Sequence, residues 1–180
     1  MKYKNILDKI SMGKMSRSEL QDLRHNALSK LKAGDEEAME VVSAIDVAKP
    51  SDTYILFMGF CPDADIGNRL DIEWKALGIC TFDFPESTVQ VNRFNHVLAG
   101  DLVVLKKNAE LGKTMTLHGH GRVTGIAYDD RQTRYLRMHW SDQIEVITVP
   151  AIAATSTVNI KAIETVEEEM SREFFTWLGR

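Results

Sequence analysis

The chain has 180 residues, of which 44% are hydrophobic and 27% charged, with a formal net charge of −4. These values fit one domain with an appendage or two small domains, and they exclude intrinsic disorder and a protein that coats nucleic acid through bulk positive charge. Cys61 and Cys80 are the only cysteines and show no CxxC spacing, the N-terminus carries no apolar signal core, and no run approaches membrane-spanning length; reduced thiols in a cytoplasmic protein, away from any membrane, are expected.

Residues 1–50 read as a helical, solvent-facing appendage. Ser16-Arg17-Ser18-Glu19 has the spacing of a capping box, in which a hydroxyl and a carboxylate satisfy the first open N–H groups of a helix. Leu20, Leu23, Ala27, Leu28 and Leu31 then recur at helical spacing, and Gly34 supplies a stop. A second helix follows from about Asp35 with Ala38, Met39, Val42 and Ile45 on one face, and Lys49-Pro50-Ser51-Asp52 reads as a linker.

From Tyr54 the periodicity changes, and residues 51–180 read as a second unit. Residues 54–58 form a nearly continuous apolar run, as for a strand buried on both faces. Residues 61–68 are rich in turn formers and read as a loop. Residues 69–76 read as a short helix carrying Trp74 and closed by Gly78, and residues 79–84 as a strand that stops at Pro85. A short helix over residues 89–98 leads into the turn at Ala99-Gly100-Asp101.

The stretch from Gly100 to Trp140 reads as a β-meander: residues 100–107, a second strand broken by Gly119, Gly121 and Gly125, and a third ending on Trp140. Residues 144–150 form another strand. Thr165-Val166-Glu167-Glu168 again has capping-box spacing and opens a helix with Val166, Met170, Phe174 and Trp177 or Leu178 on one stripe. The whole is α+β, with a small mixed or antiparallel sheet able to curl into a barrel flanked by helices.

The meander is basic within an acidic chain, since residues 91–140 carry eight Lys/Arg against four Asp/Glu. Lys106, Lys107, Arg122 and Arg134 are the candidates for holding a nucleic-acid backbone; Lys113, Arg131 and Arg137 belong to the same set. His118 and His120, two apart in a strand, are expected on one face, where they offer donors to a phosphate or a base. No third ligand in the sequence completes a metal site around them. The three glycines, at i, i+2 and i+6, are expected to open one face for a barrel bend or a flat ligand. Trp74 and Trp140 are either core or stacking partners for a base. No P-loop, nucleophile elbow, H-E-x-x-H or dinucleotide fingerprint is present, so no catalytic residue and no cofactor are assigned.

Residues 94–105, the glycine-interrupted strand over 118–125 and the strand over 135–140 together resemble an EVE-like domain of the PUA superfamily. Upstream, residues 54–60 and Trp74-Lys75-Ala76-Leu77-Gly78-Ile79 are similar to the first half of such domains. The resemblance covers roughly residues 52–160. It implies a small curved β-barrel and a pocket for a base, often a modified one flipped out of DNA or RNA. Domains of this type serve as the reading modules of McrBC-type modification-dependent restriction systems. The expectation is a non-enzymatic DNA-binding module for defence, with DNA favoured over RNA and any cleavage supplied by a separate nuclease or effector chain. Trp74, Trp140, His118 and His120 would form the pocket. The alternatives are a small ASCH-like hydrolase using a lysine with a carboxylate, for which Lys113 and Asp83 are imaginable, and a protein-interaction scaffold.

Overall fold

The structure is a computed structural model that describes residues 2–61, 67–82, 87–142, 145–152, 154 and 156–180. The two most apolar runs become its central strands. β1 (Tyr54–Gly59) lies parallel to β3 (Leu102–Glu110), with Leu56 opposite Val103 and Phe57 opposite Val104. Strands covered on both faces need no alternation, which explains their unbroken hydrophobicity. The meander forms as expected: β4 (Thr114–Tyr128) runs antiparallel to β3, and β5 (Arg134–Trp140) antiparallel to β4. β2 (Ile79–Thr81) extends the sheet beyond β5 and ends before residue 84. β6 (Ile147–Pro150) pairs with the start of β4. β7 (Val158–Ala162) pairs antiparallel with β1 and was not evident from the sequence, because no turn signal separates it from its surroundings. The described strands thus give a mixed seven-stranded sheet in the order β2-β5-β4-β3-β1-β7, with β6 off this path. The path is open, with β2 and β7 at its ends, so the expected closure into a barrel is not seen among the described residues.

Each face of the sheet is covered. On one, Ile55, Phe57, Val104, Met115 and Leu117 pack against Val166, Phe174 and Trp177. On the other, Leu56, Met58, Val103, Leu105 and Leu136 pack against Trp74 of α4 (Leu70–Leu77) and Phe94 of α5 (Thr88–Asn95). Burial of each large apolar side chain contributes about 1.5–3 kcal/mol, which makes these two layers the main source of stability. The C-terminal stripe is correct in composition but is carried by two helices, α6 (Ile163–Glu169) and α7 (Arg172–Trp177). Thr165 lies inside α6 and its capping box does not form; Met170, at φ −112° and ψ 150°, breaks the helix so that both halves follow the sheet.

The N-terminal segment forms α1 (Lys4–Ser11), α2 (Arg17–Lys32) and α3 (Ala38–Val47). Here the capping box does form: Ser16 Oγ accepts from the Glu19 N–H, and the Glu19 carboxylate accepts from the Ser16 N–H at 2.8 Å. Leu20, Ala27, Val41 and Ile45 make a third core that includes Leu98 of the sheet unit. The segment is therefore not simply solvent-facing. Arg17 is buried at 3% exposure and reaches Asp101, at 0%, through two bonds of 2.9 and 2.6 Å. Asp101 also accepts from the N–H groups of Leu98 and Tyr54, and Arg17 donates to His96 O at 2.6 Å.

Two register shifts in β4 decide where its side chains go. Leu105 faces Gly119 but Lys106 faces Leu117, so His118 is an extra residue in a β-bulge. A second shift lies between Val123 and Gly125. The expectation that His118 and His120 share a face is corrected by the first bulge: the His118 ring meets Phe60 in one core, whereas the His120 ring meets Trp177 in the other. The glycines divide in the same way. Gly119 and Gly121 open toward α4 and Trp140, while Gly125 faces Asp46 and Val47 of α3.

Candidate functional site

The densest group of chemically able side chains lies where the end of β1, the start of α4 and the bulge of β4 meet. The Leu70 N–H donates to Phe60 O at 3.0 Å and closes the connection from β1 to α4. Arg69, the residue just before α4, is thereby held with its guanidinium 5.3 Å from the Phe60 ring centre. Asp71 sits in the first turn, where a carboxylate suits the positive end of the helix. Arg69 grips it through both oxygens, at 2.9 and 2.7 Å, and Lys75, one turn on, approaches it at 3.8 Å. Lys75 Nζ donates to His118 O at 3.0 Å across Gly119. A Cβ at Gly119 would lie 2.8 Å from that ammonium and displace it, and the backbone there, at φ +151°, favours glycine.

The electrostatics are uneven by design of the packing. The Asp71 side chain is 2% exposed, while those of Arg69 and Lys75 are 34% and 31% exposed. Burial alone would raise the Asp71 carboxyl, but the Arg69 hydrogen bonds and the charges of Arg69, Lys75 and His118 outweigh it and hold the group below its ordinary value. Burial, reinforced by Arg69, Lys75 and Lys107, pushes His118 below the ordinary histidine value against the pull of Asp71, leaving a neutral imidazole at pH 7. His118 Nε2 and Thr116 Oγ1 share a 3.0 Å hydrogen bond. A buried carboxylate thus fixes two half-exposed cations, with half-buried Lys107 and His118 alongside.

On the far side of Lys75 is a cavity of about 380 Å³, lined also by Gly78, Met138, His139, Trp140, Ser141 and Asp142. Trp140 is locked from two directions. Its Nε1 donates to Trp74 O at 3.0 Å, a second bond to a carbonyl that already accepts from the Gly78 N–H, and its ring lies against Gly121, where a Cβ would meet it at 2.8 Å. The space over Gly121 is therefore filled by an indole rather than left for a ligand.

Of the pocket residues expected from sequence, His118 and Trp140 adjoin this site. Trp74 does not: it is 2% exposed in the core, its Nε1 donating to Thr81 Oγ1 at 3.0 Å, and it serves as the support beneath Trp140. His120 is turned to the opposite core by the bulge. The backbone-binding set is scattered. Lys107 borders the site. Lys106 is 3% exposed and donates to Ala154 O inside the protein, with burial lowering its amine to about 8. Arg134 donates to Phe94 O and Val97 O. Arg122 is exposed but bonded to Gly100 O at 2.7 Å. Lys106 is thus corrected from a surface cation to a buried one and Arg134 to a half-buried one, because each sits in a strand whose neighbours offer carbonyls in place of solvent. Lys113 pairs with Glu110 at the exposed β3–β4 turn, and Asp83 lies outside the described residues. Arg69 and Asp71 escaped the sequence reading; the i, i+4 pairing of Asp71 with Lys75 was the one legible sign.

Among the described residues no group of three or more His, Cys, Asp or Glu could hold a metal ion, and no helix is long and apolar enough to cross a membrane. Compared with protein-family models, with curated proteins and with solved structures, the chain finds no match.

Proposed function

We propose that the protein is a nucleic-acid-binding module in which Arg69, Lys75 and Lys107 hold backbone phosphates while the Trp140 cavity receives a base. The observation that carries this reading is the anchoring of two half-exposed cations on one buried carboxylate. A pair of cations that existed only to neutralise Asp71 would be buried with it. These two keep about a third of their side-chain surface in water, and Lys75 also lines a cavity with an aromatic wall. Fixed cations lose little entropy on meeting phosphate, and a half-buried indole held by its Nε1 hydrogen bond and its contact with Gly121 is a pre-set stacking surface. His139, Ser141 and Asp142 bring polar groups within reach of a base edge.

The preferred ligand is DNA carrying a modified base that flips out of the duplex, bound without chemistry by a curved EVE-like domain of the PUA superfamily that acts in defence beside a separate nuclease. A hydrolase on the same scaffold would need an acid–base pair in an open site. Lys106 has the lowered amine such a role would use, but its hydrogen bond goes to a buried carbonyl and no carboxylate pairs with it among the described residues.

The test is fluorescence anisotropy with short duplexes that differ only in one modified or unmodified base, at two salt concentrations. Binding that weakens with salt and favours one modification supports the reading. Equal affinity for all duplexes would leave a backbone binder alone, and no salt-dependent binding to any duplex would overturn the proposal.

A further inference from the structure

A larger cavity, of about 520 Å³, lies at the other end of β5, in the seam between the N-terminal helices and the sheet. It is separate from the Trp140 cavity, because Arg134 opens β5 and Trp140 closes it, a span of about 20 Å at roughly 3.3 Å per residue. α2 and α3 contribute Arg24 and Asp46, α5 contributes Phe94, and the β4–β5 hairpin contributes Tyr128 and Arg134, with Phe82 beside them. Sites of this size between packed units are where small ligands are commonly held.

The lining has a definite chemistry. Phe82 and Phe94, buried and tilted at 38° with ring centres 5.8 Å apart, back an apolar wall that the half-buried Val91 completes. Two guanidinium groups face one carboxylate. Arg24 is matched by Asp46 at 2.9 Å and also donates to the Tyr128 hydroxyl. Arg134 donates to the carbonyls of Phe94 and Val97 and also meets the Tyr128 hydroxyl, with its ion 5.5 Å from the Phe94 ring centre. Burial pushes it down to about 10, the mark of a cation set in a poorly solvated place without a full counter-charge. The cavity therefore carries one positive charge in excess beside an apolar wall.

The β4–β5 hairpin tip forms one wall of this cavity. Gln132 has φ 63°, the single non-glycine residue with positive φ among the described residues, and it borders this cavity. Asp129 holds the tip by accepting from the N–H groups of Arg131 and Thr133 at 2.9 and 2.7 Å. The Gln132 N–H donates to Asp129 O at 2.9 Å, so this φ is the left-handed position that closes a short hairpin, and it fixes the tip where it borders the cavity.

We propose that this seam cavity is a second ligand site, for a small planar anion of the aryl carboxylate class, whose ring fits against the apolar wall beside Phe82 and Val91 and whose carboxylate supplies the missing counter-charge between Arg24 and Arg134. Such a ligand would touch both the helical segment and the sheet, and so would tighten one on the other. The proposal does not depend on nucleic-acid binding.

The experiment uses the full chain and two probes of one shape, 2-naphthoate and neutral 2-naphthamide, followed by calorimetry and thermal unfolding. Naphthoate should bind about tenfold or more tighter than the amide and raise the melting temperature. Val91→Trp, which fills the cavity from a half-buried position on α5, should abolish that binding, and Asn95→Trp, from an exposed position on the same helix, serves if the first variant fails to fold. Trp140→Ala should leave naphthoate binding unchanged. Equal affinity for the two probes, binding that survives the cavity-filling variants, or no binding of naphthoate at millimolar concentration would each overturn the proposal.

Discussion

Two arginine–aspartate pairs in this protein use the same atoms to opposite ends. Arg17 and Asp101 are both buried, and Asp101 accepts four hydrogen bonds while Arg17 spends its remaining donors on Asp52 and on His96 O. Nothing is left over for a ligand, and the pair joins α2 to the turn before β3. Arg69 and Asp71 show the same two-pronged geometry, yet only the aspartate is buried. The difference teaches that exposure, not pairing, separates a structural ion pair from one that presents charge. In the first pair the helices of the N-terminal segment close over the arginine. In the second, the arginine stands ahead of a short helix at the sheet rim and keeps its outer edge in water.

The sharpest way to break the comparison is at its closed member. Arg17→Met leaves the Asp101 carboxylate buried with only its two backbone donors, and loss of one partner of such a pair costs about 3–5 kcal/mol. The expected result is a large fall in stability on chemical denaturation, with the N-terminal helices loosened from Leu98. Loss of under about 1 kcal/mol would show that the segment is the dispensable appendage its linker suggests.

Lys106 tests what burial does to a cation that has no carboxylate at all. Its amine is lowered to about 8 from an ordinary 10.5, so between those values the unfolded chain keeps a proton that the folded chain has released. Stability contributed by this group therefore rises with pH across that window, by up to about 3 kcal/mol, and below pH 8 the charged amine carries its full desolvation cost. Relative to Lys106→Met, the parent should gain stability steadily from pH 8 to 10, as read from urea midpoints in each buffer. A constant difference would mean that the amine is solvated.

At the open member, Trp140→Ala should lower affinity for the preferred modified duplex by about 1–3 kcal/mol, or roughly ten- to a hundred-fold, while salt-sensitive binding to unmodified DNA persists. Because Trp140 also bonds to α4, Trp140→Phe serves as the control: it keeps a ring but loses the hydrogen bond to Trp74 O. Selectivity retained by the alanine variant in a folded protein would remove the tryptophan from the pocket.

The smallest effect sharpens the contrast most directly. Arg69→Gln and Lys75→Gln each remove a half-exposed cation, so the salt slope of DNA binding should fall by about 1 per substitution and affinity should drop for all sequences alike. Lys75→Gln should scarcely change stability, since partly exposed ion pairs contribute about 0–1 kcal/mol. An unchanged salt slope would show that these cations serve Asp71 alone.

Local chemistry was legible where neighbours in sequence complete it. The Ser16–Glu19 capping box, the apolar run of β1, the meander from Gly100 to Trp140 and the Gly78 stop of α4, at φ +65°, all depend on contacts within a few residues. The mixed α+β class followed from those elements. Tertiary structure decided the rest. The same capping pattern failed at Thr165 because α6 begins directly from the end of β7, with Ala162 at its N-cap, and places Thr165 inside the first turn. One bulged residue at β4 sent His118 and His120 to opposite cores, since strand period is two and a single insertion reverses every face beyond it. Lys106 and Arg134 look like surface cations in a list of residues, and only the packing around them gives them buried carbonyls instead of water. Arg69, Asp71 and His118 meet from the edge of α4 and the middle of β4, and a sequence without its fold carries no sign of that meeting because the groups lie more than forty residues apart along the chain.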